Sequence, residues 1–214
     1  MVRCFLLGGD DKQAEFLHWM LGQLDTDIPV LIADFGLSLH NKEWLRESFE
    51  FDIISLPEAP FSLQGWYLKP FAIDAAHSYG YSEVCWLDND LQIRANIDDV
   101  FEYAQVGKLA MAIDEPSMRI LRPGYTTWNS GVVVSSSAST IVDAWMDRSK
   151  KCKERGDQEA LAYVVNESLK LRELIVELPT AYNHLRLALG PNDDAKIIHW
   201  TGPAGKKHIR EQLM

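Results

Sequence analysis

Two aspartates separated by one asparagine interrupt an apolar run in the middle of the chain. Residues 84–93 read VCWLDNDLQI, so Asp88, Asn89 and Asp90 directly follow a segment that reads as a buried strand. A carboxylate beside a buried strand is costly without a partner, and hard cations such as Mg²⁺ and Mn²⁺ prefer oxygen ligands. The spacing therefore predicts a divalent-cation site with positions left open for phosphate oxygens. A solvated Asp-Asn-Asp turn is the alternative.

Two further stretches carry side chains that could join such a site. His199 in IIHWTG also follows an apolar run and could supply a nitrogen ligand, although this stretch taken alone favours a structural or surface histidine. Asn129, Ser130 and Gly131 in TTWNSGVVV come just before an apolar run. Small and amide side chains there would let a sugar approach and hydrogen-bond the backbone, and a plain turn is the alternative.

Polar residues near two later helix and loop patterns are also candidates. In RGDQEALAYVV, Asp157 suits a helix N-cap and Gln158 would project its amide towards whatever the helix N-terminus faces. Capping could be the whole role of Asp157. In HWTGPAGKKH, Lys206 and Lys207 follow several glycines, so this loop could close over a diphosphate and neutralise it. A flexible basic tail is the alternative.

The elements that must position these residues alternate between strands and helices. The predicted strands are VRCFLLGG, IPVLIADFGLS, FDIISLPE and SEVCWLDND, and the helices between them are DKQAEFLHWMLGQL, NKEWLRESF and GWYLKPFAIDAAHSYG. Strands that are apolar on both faces and alternate with helices indicate an α/β sandwich around a mostly parallel sheet. Ligands bind such sheets beyond the carboxyl ends of the strands. Gly8–Asp10, Asp34 and Asp88–Asp90 all fall at such ends.

The second half of the chain is less regular. KLAMAIDEP reads as a strand, WNSGVVVSSS as a turn that feeds a strand, and STIVDAWMDRSKKC and DQEALAYVVNES as helices. RELIVELPTAYN and AKIIHWTG are expected to close the chain with short strands and loops. Because no repeat, low-complexity tract or long linker interrupts the pattern, we expect one domain over residues 1–214.

Composition restricts the class of ligand. The 214 residues contain 21 Lys and Arg against 31 Asp and Glu, a formal net charge of −10. An acidic surface of this kind argues against nucleic acid or an anionic membrane as an unassisted partner. Phosphorylated ligands remain compatible with it where a metal ion neutralises them locally.

The cysteines and the apolar runs bear on location. Cys4, Cys85 and Cys152 show no metal-ligand or redox spacing, and the first two lie in apolar runs. The apolar stretch at the N-terminus is too short for a signal peptide, and no run approaches the ~20 residues that span a bilayer. We therefore expect a cytoplasmic chain, and one domain of a longer protein is compatible with the same features.

Taken in order, these motifs resemble those of the GT-A glycosyltransferases. The closest resemblance is to the retaining glycosyltransferase family 8, which includes glycogenin and bacterial galactosyltransferases. It is carried over residues 3–207 by IADFGLS, GWYLKPFAI, WLDND, WNSGVVV, GDQEAL and HWTG followed by a lysine. WLDND corresponds to the DXD motif of that family.

The resemblance implies a role for each candidate residue. Asp88, Asp90 and His199 would bind Mn²⁺ or Mg²⁺. Gln158, Asp157 and Asn129 would line the sugar site, with Gln158 near the reacting anomeric carbon. Residues that would contact the donor nucleotide, its diphosphate or its sugar are Gly8, Gly9, Asp10, Asp34, Lys69, Asn89, Ser130, Gly131, Gly202 and Lys206.

The resemblance also implies an activity. A hexose would pass from a nucleotide-diphosphate sugar to a glycan or another hydroxyl acceptor, with retention of configuration. A UDP-hexose is expected first as donor, and a GDP-sugar is the alternative. Two other functions remain open: a haloacid-dehalogenase-type phosphatase with Asp88 as nucleophile and Asp90 as general acid/base, and a non-catalytic sugar-nucleotide-binding domain.

Overall fold

The computed structural model describes residues 1–60, 62–63, 65–118, 125–137, 139–151 and 153–213. Cys152 lies outside these ranges. The strands in chain order are β1 (Arg3–Gly9), β2 (Val30–Asp34), β3 (Asp52–Ile54), β4 (Glu83–Leu87), β5 (Leu91–Ile93), β6 (Leu109–Ile113), β7 (Trp128–Ser136), β8 (Ile175–Glu177), β9 (His184–Leu185) and β10 (Ile197–His199). The helices are α1 (Ala14–Leu21), α2 (Leu39–Arg46), α3 (Lys69–Ser78), α4 (Glu115–Met118), α5 (Thr140–Ser149), α6 (Asp157–Glu167), α7 (Leu169–Arg172), α8 (Arg186–Leu189) and α9 (Gly202–Leu213).

Seven of the strands form one central sheet in the order β3-β2-β1-β4-β7-β6-β8. Strands β3, β2, β1 and β4 pair in parallel, β7 is antiparallel to both of its neighbours, and β8 is parallel to β6. Within the described sheet, β7 alone therefore runs against the others. The predicted mostly parallel sheet is confirmed. A smaller sheet, in the order β5-β10-β9, lies beside it.

Helices cover both faces of the central sheet. Alternate residues of β1 enter opposite halves of the core, with Cys4 and Leu6 on one face and Phe5 and Leu7 on the other, all fully buried. The first face packs against α3, α5 and α6, and the second against α1, α2 and the 3₁₀ segment Asp98–Tyr103. This arrangement is the predicted α/β/α sandwich, and it explains why the strands read as continuous apolar runs.

Two of the cysteines serve as small core side chains. Cys4 and Cys85 are free and fully buried, and burial raises the pKa of Cys4 to about 12. Neither thiol is therefore reactive at neutral pH. Within the described ranges, no helix combines the length and the hydropathy that a membrane span requires.

The WNSG stretch differs from the predicted turn. Strand β7 already begins at Trp128, so Asn129–Gly131 lies inside the strand. The neighbouring residues Met111 and Ala112 of β6 pair with Val133 and Asn129, so β7 bulges between those two partners. A bulge bends its strand and redirects side chains at the sheet edge. The bulge turns this part of β7 towards the end of β4.

The end of the chain also differs from the expected loop or flexible tail. Gly202–Leu213 is the helix α9, and it packs tightly on the segment that follows His199. A Cβ atom placed on Gly205 would lie 2.0 Å from the Trp200 carbonyl oxygen. The Trp200 N–H donates to the Asp90 carbonyl at 2.9 Å, which holds that backbone in place. Glycine at position 205 therefore sets how closely α9 approaches the end of β10.

Replacement of this glycine tests the close contact. In an ordinary helix interior, Gly→Ala stabilises by roughly 0.5–1 kcal/mol. For Gly205→Ala we expect the opposite sign, a loss of about 1–3 kcal/mol, because backbone must move away from the added methyl group. Urea unfolding measures the difference. Gly22→Ala is the control, since its nearest neighbour would lie at an ordinary 3.5 Å. A Gly205→Ala protein as stable as the parent would contradict the packing of α9.

Candidate functional site

A cleft of about 830 Å³ lies at one edge of the central sheet. Strands β1, β4 and β6 end at this edge, and β7 begins there because it runs in the opposite direction. The predicted site residues line the cleft, with the exception of Asp34, Gly131 and Lys207. The fold thus collects side chains from distant parts of the sequence at the edge where open α/β sheets bind ligands.

Three potential metal ligands meet in this cleft. Single atoms of Asp88, Asp90 and His199 all lie within 4.8 Å of one another. His199 Nε2 is 3.1 Å from Asp90 Oδ1 and 4.0 Å from Asp88 Oδ2. Ligands held about 2.1 Å from an octahedral ion are roughly 3 Å apart when adjacent and 4 Å apart when opposite. The two carboxylates and the imidazole could therefore hold one divalent cation.

The electrostatics of Asp90 favour its role as a ligand. Burial by itself raises the pKa of Asp90. The neighbouring His199 and the charges of Lys206 and Lys69 lower it by more than burial raises it, so the net pKa lies below the ordinary value. The carboxyl group is therefore ionised at neutral pH, the form that binds a cation.

The orientation of the His199 ring is set by a buried amide. His199 Nδ1 lies 2.8 Å from Asn183 Oδ1, and Asn183 Nδ2 donates to Asn129 Oδ1 at 2.9 Å. The second hydrogen bond fixes which end of the Asn183 amide faces the ring, so Nδ1 carries the proton that Oδ1 accepts. Nε2 is then the nitrogen that faces the two carboxylates, as a metal-binding histidine requires.

Gly131 does not line the cleft, but its Cα packs directly against the His199 ring. A Cβ atom at this position would lie 2.2 Å from His199 Cε1, so a larger residue would displace the imidazole. The Gly131 carbonyl accepts from the Asp88 N–H at 2.8 Å, and its own N–H donates to Asn129 Oδ1 at 2.9 Å. The bulged part of β7 thus positions two of the three potential metal ligands.

Lys69 occupies the centre of the polar network. Its Nζ lies 3.0 Å from Asp88 Oδ1 and 2.9 Å from Asp157 Oδ2, and it donates to the carbonyl and hydroxyl oxygens of Ser130. Burial alone would lower the pKa of Lys69, but the carboxylates of Asp157 and Asp88 raise it above its ordinary value. The ammonium group therefore stays charged although the residue is buried.

The sequence predicts Asp157 as a helix N-cap, but in the structure Asp157 does not cap its helix. Gly156 is the N-cap of α6 and Asp157 is the first helical residue, with its carboxylate directed at Lys69. Gln158, the next residue, is held at both ends of its amide. Its Nε2 donates to Asp114 Oδ2 at 2.8 Å, and its Oε1 accepts from the Ser130 N–H at 3.2 Å.

Two residues of this network escaped the sequence analysis. Asp114 is buried directly after β6, and its Oδ2 accepts from both Gln158 and Asn129. The run AMAID ends in an aspartate just as the run before Asp88 does, so the same signal would have found Asp114. Asn183, which orients His199, lies in an irregular segment where no pattern marks it.

Gly8, Gly9 and Asp10, at and just after the end of β1, also line the cleft. Asn89 Nδ2 donates to the Gly8 carbonyl at 2.8 Å and so ties the end of β4 to the end of β1. The Trp86 indole N–H donates to Asp88 Oδ1 at 2.7 Å, a second restraint on that carboxylate. Asp88 Oδ2 is the oxygen that lies towards His199, at 4.0 Å from Nε2.

Three predicted features lie elsewhere or take another form. Asp34 is the last residue of β2. Its Oδ1 accepts from the Gly36 and Leu37 N–H groups of the following turn, and its Oδ2 pairs with Lys42 at 2.6 Å. The expected glycine-rich loop over the cleft is the first turn of α9, with Gly202 and Lys206 on the lining. Lys207 faces solvent, with Glu211 at 3.7 Å.

Comparison with known proteins supports the fold assignment. No protein-family profile matches the chain, and no curated protein matches it. The structure is similar to the galactosyltransferase LgtC solved with donor and acceptor sugar analogues, at a TM-score of 0.62 and 15% identity over 94% of this chain and 88% of that one. It is similar to the glycosyltransferase GlyE of Streptococcus pneumoniae TIGR4, at 0.70 and 16% over 99% and 60%.

A third similar structure is a glycosyltransferase involved in the glycosylation of the major capsid of PBCV-1. Its TM-score is 0.65 at 12% identity, and the match covers 100% of both chains. At such identities the likeness concerns the fold. The chain has the α/β/α fold of these GT-A-like glycosyltransferases, and it spans 60% of the length of GlyE.

Removal of the central lysine should be costly and pH-dependent. Lys69→Met leaves the buried Asp157 carboxylate without its cation, so we expect a loss of about 3–5 kcal/mol at pH 8. Burial and the charge of Asp88 already raise the pKa of Asp157. Without Lys69 this pKa rises further, and protonation as the pH falls relieves the penalty. The stability gap to the parent should therefore shrink between pH 8 and pH 5.

Chemical unfolding at several pH values measures this gap. Lys42→Met is the matched control, because its pair with Asp34 is partly exposed, at 23% and 25% of the side chains. We expect it to cost no more than about 1 kcal/mol. An equal cost for both variants, or a Lys69→Met gap that does not change with pH, would contradict the buried network.

Proposed function

We propose that this protein is a divalent-cation-dependent glycosyltransferase that moves a hexose from a nucleotide-diphosphate sugar to a hydroxyl acceptor. One observation carries the proposal: Asp88, Asp90 and His199 converge as a ligand set in the cleft that also holds Lys69 and Gln158. Two carboxylates and an imidazole with open positions suit Mn²⁺ or Mg²⁺ that also binds phosphate oxygens. The shared fold with glycosyltransferases adds support.

The charges of the cleft agree with this activity. Six carboxylates line the cleft, against the three cationic side chains of Lys69, Arg155 and Lys206. The acidic residues are Asp10, Asp88, Asp90, Asp114, Asp157 and Glu159. A diphosphate would be repelled here without a cation, because like charges disfavour one another in a partly desolvated cleft. We therefore expect donor binding to require a metal ion.

In glycosyl transfer the bond from the anomeric carbon to the phosphate oxygen breaks through an oxocarbenium-like state. Negative charge develops on the diphosphate as it leaves, and a bound divalent ion would supply positive charge to its oxygens. Lys69, held beside Asp88, adds a fixed positive charge to the same region. Lys206 lines the cleft, and its proposed role is to neutralise a phosphate group.

Gln158 is proposed to line the sugar site together with Asn129 and Asp157. Its amide is oriented by Asp114 and by the Ser130 N–H, so it is a fixed polar group and not a strong base. A reaction that retains configuration requires no strong base opposite the leaving group. Retention is therefore the stereochemistry that we propose.

The finer assignments follow the sequence analysis. UDP is proposed as the nucleotide, bound by Gly8, Gly9 and Asp10, with GDP as the alternative, and the acceptor is a glycan or another hydroxyl compound. We also propose that residues 1–214 act as one cytoplasmic domain. The phosphatase alternative is not favoured, because the similar structures are glycosyltransferases and because Asp88 Oδ1 already accepts from Trp86 and contacts Lys69.

Binding and turnover of nucleotide sugars test the proposal. UDP-glucose, UDP-galactose and GDP-mannose are each added with Mn²⁺ or with EDTA, and thermal stability and release of UDP or GDP are measured. We expect one donor to stabilise the protein only with metal, by about 2.7 kcal/mol at 100 times its dissociation constant. Slow hydrolysis of the same donor should accompany binding.

Asp90→Asn should abolish this metal-dependent stabilisation, because it removes a charged ligand without removing volume. Asp147→Asn, at an exposed carboxylate outside the cleft, should leave it unchanged. Metal-dependent donor affinity that survives in Asp90→Asn would refute the ligand assignment. Tight binding without turnover would favour the non-catalytic alternative, and hydrolysis of p-nitrophenyl phosphate without donor binding would favour the phosphatase.

Asn183 should control metal affinity through His199. Asn183→Ala removes the acceptor of the Nδ1 proton, so we expect Mn²⁺ to bind about 10- to 100-fold more weakly. Asn183→Asp keeps an acceptor at this position and should retain most of the affinity. Electron paramagnetic resonance of free Mn²⁺ measures binding independently of turnover. If the alanine and aspartate variants bind Mn²⁺ equally, the orienting role of Asn183 is wrong.

A further inference from the structure

We propose that Trp66 forms a platform on which a pyranose ring stacks at the mouth of the cleft. The inference rests on the proposed function and extends it, because it assigns a saccharide contact to a residue outside the polar network. The ring could belong to the hexose of the donor or to a sugar acceptor. Both present the same chemistry, and the experiment below distinguishes them.

The exposure of Trp66 is unusual for this protein. Its side chain lines the cleft and the residue is 56% exposed, whereas the other six tryptophans are buried or partly buried. A large aromatic surface left in water loses the favourable free energy that burial would bring. An exposed indole on the wall of a ligand cleft is therefore explained most simply by a ligand that covers it.

The indole is also held by its neighbours in the chain. Trp66 lies in the 3₁₀ turn Gly65–Leu68, which leads directly into α3 and Lys69. Leu68 is buried in the core, and the Tyr67 hydroxyl donates to the Glu154 carbonyl. Because both following residues are anchored, the backbone of Trp66 is fixed. Ligand binding would therefore cost little conformational entropy in this segment.

A carboxylate lies near the edge of this indole. A Cβ atom built on Gly156 would lie 3.4 Å from Trp66 Nε1 and 3.1 Å from Glu159 Oε2, which places these two groups close together. Arg155 also lines the cleft, and within the described residues neither Arg155 nor Glu159 makes an ion pair. A pyranose presents an apolar C–H face and a rim of hydroxyl groups. An aromatic face with a carboxylate near its edge is complementary to both.

The platform is continuous with the proposed sugar site. Gly156 immediately precedes Asp157, which contacts Lys69, and Lys69 in turn contacts Asp88. A ring stacked on Trp66 would therefore lie next to the residues proposed to hold the reacting hexose. The nucleobase is a less suitable occupant, since its proposed contacts are Gly8, Gly9 and Asp10.

The experiment compares Trp66→Ala, Trp66→Phe and the control Tyr79→Ala. Tyr79 is 57% exposed and does not line the cleft, so it matches Trp66 in exposure alone. Calorimetry with Mn²⁺ gives the affinity of each protein for UDP and for UDP-glucose or UDP-galactose. Release of UDP with lactose, maltose or cellobiose present gives the KM of a sugar acceptor.

For Trp66→Ala we expect an approximately tenfold loss in one sugar-dependent quantity, with the affinity for UDP unchanged. A loss of UDP-hexose affinity would assign the donor hexose to the platform, and a raised acceptor KM would assign the acceptor. Trp66→Phe should keep most of the UDP-hexose affinity or acceptor KM of the parent, because a smaller aromatic ring remains. Tyr79→Ala should behave as the parent. No change in either quantity, or an equal loss of UDP affinity, would overturn the platform.

Failure of the proposed function gives a different result. In that case the parent protein binds neither UDP nor a UDP-sugar in the presence of Mn²⁺. Tryptophan fluorescence with lactose, maltose and cellobiose then tests the platform by itself. Quenching by a disaccharide that disappears in Trp66→Ala would support it, and the absence of any quenching in the parent would overturn it.

Discussion

The buried ammonium group of Lys69 is the interaction on which the rest of the cleft depends. It joins Asp88 at the end of β4, Ser130 on the bulge of β7 and Asp157 at the start of α6. Without a cation between them, the carboxylates of Asp88 and the buried Asp157 would repel each other. Lys69 offsets this repulsion from the first turn of a helix packed in the core, and its charge opposes the rise that burial causes in the pKa of Asp157. The charge of the site is thus fixed by the fold.

A second constraint comes from the bulge in β7. Because the strand bends at Asn129–Gly131, its backbone contacts Asp88 while the bare Cα of Gly131 leaves room for the His199 ring. A continuous series of hydrogen bonds then runs from His199 through Asn183, Asn129 and Asp114 to Gln158. The proposed metal position and the proposed sugar position therefore share one buried framework. A change in either half should therefore be felt in the other.

The sequence predicts those parts of the site that depend on local residue patterns. Alternating strands and helices predicted the sandwich, and apolar runs that end in acidic residues predicted its functional edge. The same signal wrongly predicted Asp34 as a cleft residue, because β2 lies on the far side of β1 from β4. Asp157 has local and tertiary uses that look identical in sequence, and only the approach of Lys69 decides between them. Gly205 reads as part of a loop, whereas in the fold it permits a helix to lie against Trp200.

The central claim is that Asp88, Asp90 and His199 hold one divalent ion that a nucleoside diphosphate then shares. Anomalous diffraction at the manganese edge, from crystals grown with Mn²⁺ and UDP, tests it most directly. The account predicts one strong peak within coordinating distance of all three side chains and of the diphosphate oxygens. UDP bound in the cleft without a peak there, or a peak at other residues, would contradict it.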